Sequence, residues 1–180
     1  MSSTNKNTSS KILVMGLDNS GKTSIVLNLI GKTNLLDYIS LKPTLGADII
    51  QHEINDSRYS IWDLGGQKVY REEYLDNFEE YLKETYKIVY VIDIQDKERY
   101  DLTLDYFKSI IERIERFGGN LDMTIFLHKH DPDLEDLKPD IDEKTIEQLI
   151  YRIKQIIPDD VYFEIFTSTI YTVFDKSLKR

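Results

Sequence analysis

Cysteine is absent from this chain, so no disulfide, thiolate metal site or cysteine-linked lipid can form on it. Positive charge is also in deficit: 23 Lys and Arg stand against 32 Asp and Glu, a formal net charge of −9. A general nucleic-acid-binding surface needs a basic patch to displace counterions, so no nucleic-acid partner is expected. No apolar run approaches the roughly 18 residues that a membrane span requires. The opening MSSTNKNTSS has neither the apolar stretch of a signal peptide nor the pattern of a membrane-surface helix, and position 2 is Ser where N-myristoylation needs Gly. These absences predict a disordered polar tail over residues 1–10, no direct lipid anchor and a cytoplasmic protein.

What is present suits one soluble domain over residues 11–180: 41% of the 180 residues are hydrophobic and 31% charged. Apolar runs alternate with helical patterns, which predicts an α/β fold with a six-stranded, mostly parallel sheet and helices on both faces. The strand candidates are 11–15, 47–54, 58–63, 87–93, 123–128 and 161–167. Asn55-Asp56-Ser57 between the second and third is a turn signal, making that pair an antiparallel hairpin. Phe107, Ile110, Ile111 and Ile114 recur with helical spacing, as do Ile146, Leu149, Ile150, Ile153 and Ile157 ahead of Pro158. The acidic stretch from Asp131 to Glu143 reads as a solvated loop, with a partner-binding surface as the alternative.

The most informative stretch is KILVM followed by GLDNSGKT, residues 11–23. An apolar strand feeding G-x-x-x-x-G-K-[ST] is the phosphate-binding loop of P-loop NTPases. Gly16 and Gly21 let the backbone curl so that successive N–H groups face phosphate oxygens, and the following helix presents its positive end to the same anion. Asp18, Asn19, Ser20, Gly21, Lys22, Thr23 and Ser24 are the candidate phosphate-binding set. Within it Lys22 supplies charge to the outer phosphates and the Thr23 hydroxyl can enter a Mg2+ shell.

At the end of the third strand candidate stands Trp62-Asp63-Leu64-Gly65-Gly66-Gln67. An aspartate at the carboxyl end of a buried strand is where a Mg2+-linked carboxylate belongs. Gly66 offers a backbone N–H able to approach a γ-phosphate closely, and Gln67 can orient an attacking water.

With these two motifs the chain resembles the small Ras-like GTPases, over essentially residues 11–175. GLDNSGKT and WDLGGQ look most like the Arf/Sar branch. The resemblance implies the small-GTPase fold, bound GTP or GDP, and Mg2+ held through Thr23, Thr44 and Asp63. Thr44, in Lys42-Pro43-Thr44-Leu45-Gly46, resembles the first-switch threonine that closes over Mg2+ and the γ-phosphate. After the strand ending at Leu127 comes His128-Lys129-His130-Asp131, where the family has N-K-x-D. A carboxylate there can accept both N1–H and the exocyclic N2–H of guanine, a pair of donors that adenine lacks. Asp131 is thereby the expected base reader, with Lys129 beside it. His128 in place of Asn resembles the Rag/Gtr branch; a histidine merely packed at a strand end is the other reading, and His130 is expected at the surface. The long stretch Lys68 to Lys87 resembles the extended second switch of Rag proteins. Phe166 to Tyr171 resembles their loop whose N–H groups meet guanine O6, making Ser168 and Thr169 candidates.

Departures from both branches shape the remaining expectations. Only a short final helix is expected before Arg180, so the dimerisation domain of Rag proteins is not expected here. Ala47 stands where Arf proteins place an effector-contacting Phe. The function implied is a GTP/GDP switch with slow Mg2+-dependent hydrolysis, in which Lys22, Thr44 and Gln67 act on the transferring phosphoryl group. No residue announces a cis arginine finger, although Arg71 is a candidate. Activating proteins, exchange proteins and effectors would bind the switches, for which the tyrosines from Tyr70 to Tyr86 offer a face. The alternative is a guanine-nucleotide-dependent scaffold without turnover; an ATP-dependent kinase on the same loop would show an arginine-rich lid, and none is visible.

Overall fold

The computed structural model describes residues 9–32, 34, 37–38, 40–54, 57–117 and 121–170. The expected tail, except its last two residues, the hairpin turn at 55–56 and the short final helix lie outside these residues. Ser10, counted with the tail, is instead the first residue of β1 (Ser10–Met15), because it pairs in register with Tyr59.

β1 leads through the phosphate loop to α1 (Lys22–Leu29). β2 (Ala47–Ile54) and β3 (Ser57–Leu64) form the antiparallel hairpin, and α2 (Lys68–Asp76) and α3 (Phe78–Leu82) follow. Next come β4 (Thr85–Asp93), a 3-10 turn (Lys97–Arg99) and α4 (Tyr100–Phe117). β5 (Asp122–His128), the short α5 (Leu134–Leu137), α6 (Glu143–Ile156) and β6 (Phe163–Ser168) complete the order. The sheet runs β2-β3-β1-β4-β5-β6, parallel except for the hairpin.

Small differences from the expected boundaries have local causes. β4 starts at Thr85, two positions early, where Thr85 pairs with Lys11 and its hydroxyl donates to the Tyr81 carbonyl (2.8 Å). β6 starts late because the Val161 N–H closes a turn on the Pro158 carbonyl (3.1 Å). The acidic segment is not all loop, since Leu134 is buried and seeds α5.

Two apolar layers hold the sheet. The larger packs Leu13, Met15, Ile88 and Tyr90 of the strands against Phe107, Ile110 and Ile114 of α4 and Leu149 and Ile153 of α6. The smaller lies on the opposite face, with Val14, Val89 and Val91 under Ile25 and Val26 of α1. Neighbouring parallel strands buried on both faces account for the near-continuous apolar run of β4. Order 2-3-1-4-5-6 brings the carboxyl ends of β1, β3, β4, β5 and β6 to one edge, where ligand sites in open α/β sheets form.

Candidate functional site

The loop between β1 and α1 turns through left-handed backbone at Gly16 (φ 145°), Asn19 (φ 59°) and Gly21 (φ 91°). At Gly21 glycine is doubly required, because a Cβ would also lie 2.2 Å from Cδ2 of His128. Lys22 opens α1 and is only 6% exposed, with Nζ donating to the Leu17 carbonyl (2.7 Å). Burial pulls its pKa down to about 8, against the opposing pull of Asp63 and Asp18. Ser20 is buried and its Oγ has no partner.

Thr23, Thr44 and Asp63 meet at one point although they come from α1, the loop before β2, and β3. Thr23 Oγ1 donates to Asp63 Oδ2 (2.5 Å), Thr44 Oγ1 to the same oxygen (3.2 Å), and the two hydroxyls are 3.1 Å apart. Asp63 is 1% exposed and its Oδ1 has no partner. Burial raises its pKa, while the Thr23 hydrogen bond and Lys22 oppose the rise. The described residues contain no group of three or more His, Cys, Asp or Glu able to hold a metal. Two hydroxyls and one carboxylate with an uncommitted oxygen nevertheless form the hard, oxygen-only donor set that a small divalent cation such as Mg2+ takes. The residues fit that ion.

Gly66 follows in tight contact with the phosphate loop. Asp18 N–H donates to its carbonyl (3.1 Å), and a Cβ at Gly66 would lie 2.1 Å from Asp18 N. The same carbonyl accepts Arg71 Nε (2.9 Å), whose guanidinium lies over the Tyr106 ring (5.1 Å). Arg71, the candidate cis arginine, is therefore committed to the backbone of the second switch and the core. Gln67 precedes α2, and its Oε1 is buried without a partner. Tyr74 is buried with its hydroxyl on Gly46 O (2.8 Å), and Tyr70 and Tyr81 are half-buried, so of the tyrosines from Tyr70 to Tyr86 only Tyr86 is mostly exposed. A cleft of about 350 Å³ is bounded by Asp18, Asn19, Gly21 to Ser24, Thr44, Gly66 and Gln67.

The second half of the edge is built at the end of β5. His128 is 3% exposed; Nδ1 meets Ser168 Oγ (3.0 Å) and its ring packs on Gly21. Burial lowers its pKa, aided by the Lys129 charge, which favours the neutral ring. Lys129 bridges Asp93 Oδ2 (2.6 Å) and the Asn19 carbonyl (2.8 Å). Asp131 accepts Gln95 Nε2 on Oδ2 (2.7 Å) and the Thr169 hydroxyl on Oδ1. His130 is exposed, as its place in the strand alternation implied.

Three participants escaped sequence reasoning. Asp93, the last residue of β4, could have been found by the strand-end position alone. Arg99 donates to Asp18 Oδ1 (3.0 Å) and Asp18 O (3.2 Å) across a large sequence separation, and Gln95 reaches Asp131 from the loop after β4. No sequence pattern marks either.

Comparison with known proteins places the chain in a family. Residues 11–178 match the Gtr1/RagA G protein conserved region. ADP-ribosylation factor 3 of Arabidopsis thaliana is 33% identical over 125 residues, 69% of this chain and 63% of that protein. ADP-ribosylation factor-like protein 2 of Dictyostelium discoideum is 36% identical over 123 residues, 68% of this chain and 61% of that protein. The alignments thus span less than two thirds of these relatives' lengths. Among solved structures, the Arl6 BBS3 small GTPase from Trypanosoma brucei, with bound nucleotide analogue GppNp, superposes with a TM-score of 0.64 at 23% identity, covering 90% of this chain and 87% of that one, a likeness of fold. Taken with the match over nearly the whole chain, these similarities mean that it belongs to the Gtr1/RagA family of Ras-like small GTPases, and that it combines Rag-type and Arf-type features.

Proposed function

We propose that this chain is a GTP/GDP switch that hydrolyses GTP slowly and in a Mg2+-dependent way. The observation that carries the reading is the convergence of Thr23, Thr44 and Asp63 beside the buried Lys22, on the same sheet edge as Asp131. The first group suits the phosphates and the second suits a guanine edge, with Ser168, Thr169, His128 and Lys129 around it. Thr23 and Thr44, backed by Asp63, would hold Mg2+, which supplies charge neutralisation at the phosphate oxygens.

In this reading Lys22 releases the Leu17 carbonyl and turns its ammonium to the β- and γ-phosphates, while N–H groups from Gly21 to Ser24 line the anion. Gln67 orients a water for in-line attack on the γ-phosphorus; the bond to the β-γ bridging oxygen breaks, leaving GDP and phosphate. Arg71, committed to the Gly66 carbonyl, does not serve as a finger in this reading. Sites of this kind gain roughly 10³- to 10⁵-fold when an activating partner supplies one. Loss of the γ-phosphate frees Thr44 and Gly66, and both switches change shape. Exchange proteins and effectors would read those surfaces in the cytoplasm, in a signalling or trafficking role. Within the described residues no helix is long and apolar enough to cross a membrane.

The test is the nucleotide that co-purifies with the protein, followed by multiple-turnover phosphate release from GTP with and without Mg2+. Guanine nucleotide plus Mg2+-dependent release that slows in Gln67→Leu is expected. Bound guanine nucleotide with no turnover would convert the reading to a nucleotide-dependent scaffold, and bound adenine nucleotide would end it.

A further inference from the structure

Gln95 lies just beyond β4 and belongs to neither nucleotide motif, yet it is joined to three separate segments. Its Nε2 donates both to Asp131 Oδ2 (2.7 Å) and to the Lys129 carbonyl (2.8 Å). Its own backbone is clamped: the N–H donates to Asp93 Oδ1 (2.9 Å) and the carbonyl accepts Lys138 Nζ (2.8 Å). Gln95 is therefore a rigid post, and the amide it presents uses both hydrogens on the loop that carries Asp131.

Asp131 needs such a post if it reads a base. An aspartate carboxylate rotates broadly about its last torsion, whereas a bidentate pair with two parallel N–H donors requires one plane. Thr169 holds Oδ1 and Gln95 holds Oδ2. Each ionised oxygen retains acceptor capacity beyond one such bond. The titratable neighbours are otherwise engaged: Lys129 is turned to Asp93 and Asn19, Lys138 to the Gln95 carbonyl, and the buried His128 to Ser168, while His130 is exposed.

We propose that Gln95 is a positioning residue for base selection, its side-chain amide fixing the Asp131 carboxylate in the plane that accepts N1–H and the 2-amino group of a guanine nucleotide. The inference rests on the assignment of Asp131 as base reader. Glutamine suits the task because it donates without charge. A glutamate at position 95 would set a second carboxylate beside Asp131, repelling it when ionised and donating to it only when protonated.

The experiment compares GDP with IDP, which lacks the 2-amino group, by dissociation constants on the full chain in Mg2+ buffer. Gln95→Leu is expected to weaken GDP about tenfold and IDP clearly less, because the loss falls on the second hydrogen bond of the pair. Gln95→Glu is expected to bind GDP poorly at about pH 7.5 and to recover at about pH 5.5, whereas the unmodified protein gains nothing on acidification. A merely structural role would weaken GDP and IDP equally and leave Gln95→Glu without acid recovery, and that pair of results overturns the proposal. Should Gln95→Leu not fold, the acid recovery of Gln95→Glu decides alone. Asp131→Asn separates the two layers of the argument. If it keeps its preference for GDP over XDP, the base-reader assignment has failed; if it shifts to XDP while Gln95→Leu leaves the GDP-to-IDP ratio unchanged, only the role of Gln95 has.

Discussion

The two halves of the ligand edge are finished to different degrees. Around the phosphate loop Ser20 Oγ, Asp63 Oδ1 and Gln67 Oε1 are buried without partners, and Lys22 lies buried on a neutral carbonyl. Around the end of β5, His128, Lys129 and Asp131 each meet a protein partner. Buried polar atoms without partners are destabilising by about 1–3 kcal/mol each. The phosphate half therefore keeps polar groups that the protein itself leaves uncommitted, while the base half is preorganised by contacts within the protein. Affinity is expected to come from the first and selectivity from the second.

Lys22→Met is the strongest way to break that contrast. Removing a buried ammonium is expected to raise the thermal midpoint of the nucleotide-free protein by a few degrees, while nucleotide affinity falls about 100-fold or more. Thermal scans with and without GDP, together with titration of a fluorescent nucleotide, measure both. A variant that loses stability without nucleotide would mean that the ammonium is not a strained group.

The two halves touch where the His128 ring meets Gly21. Gly21→Ala is expected to cost about 2–4 kcal/mol, from the left-handed backbone and the clash with the ring. Combined with His128→Ala, it should cost less than the sum of the single changes. A double-mutant cycle in urea measures this coupling, and additivity would show the halves to be independent.

Arg71→Met should act on the Gly66 segment proposed to sense the γ-phosphate, since it removes the donor to the Gly66 carbonyl. A fall of about tenfold in the preference for a non-hydrolysable GTP analogue over GDP is expected, with GDP affinity little changed. Equal loss for both nucleotides would place Arg71 in the scaffold only. Arg99→Ala loosens Asp18 from outside the loop; because the pair is partly exposed, about 1 kcal/mol or less of stability is expected, and the difference should shrink in high salt.

The smallest effect concerns pH. His128 has a folded pKa below 6.5, with burial as the main cause and the Lys129 charge second. The unfolded chain then binds the proton more readily, so stability should rise with pH across the window from the folded pKa up to about 6.5 and fall on acidification. Asp93 and Asp131 also face this ring and soften the effect. His128→Asn should flatten that part of the profile in denaturation curves taken from about pH 5 to 7.5. An unchanged slope would assign it to other groups.

Much of this comparison was readable in the sequence, though unevenly. The phosphate half was legible because its backbone demands are local: Gly16, Gly21, Lys22 and Thr23 must stand at fixed offsets for one loop to wrap an anion. The helices of the larger core were legible because Phe107, Ile110, Ile111 and Ile114 repeat with the turn of a helix, and all four are buried. Asp131 as a candidate base reader was legible through the resemblance and through its place just after the fifth strand, since K-x-D has no local geometry of its own. Arg71 showed the limit from the other side. Its place in the second switch suggested a reach toward phosphate, while the Gly66 carbonyl and the Tyr106 ring hold it in the core.

By itself the sequence determined the order of the six strands, the amphipathic helices α4 and α6, the phosphate loop and the chemistry of the residues available at the ligand edge, because periodicity and loop motifs are encoded by near neighbours. Tertiary structure brought Thr23, Thr44 and Asp63 to the one point that the resemblance implied, and it alone decided that His128 closes on Gly21 and that Gln95 and Thr169 hold opposite oxygens of Asp131. The physical reason is the crossover order of the sheet, which brings strand ends far apart in the chain to one edge, where short-range hydrogen bonds can form between them.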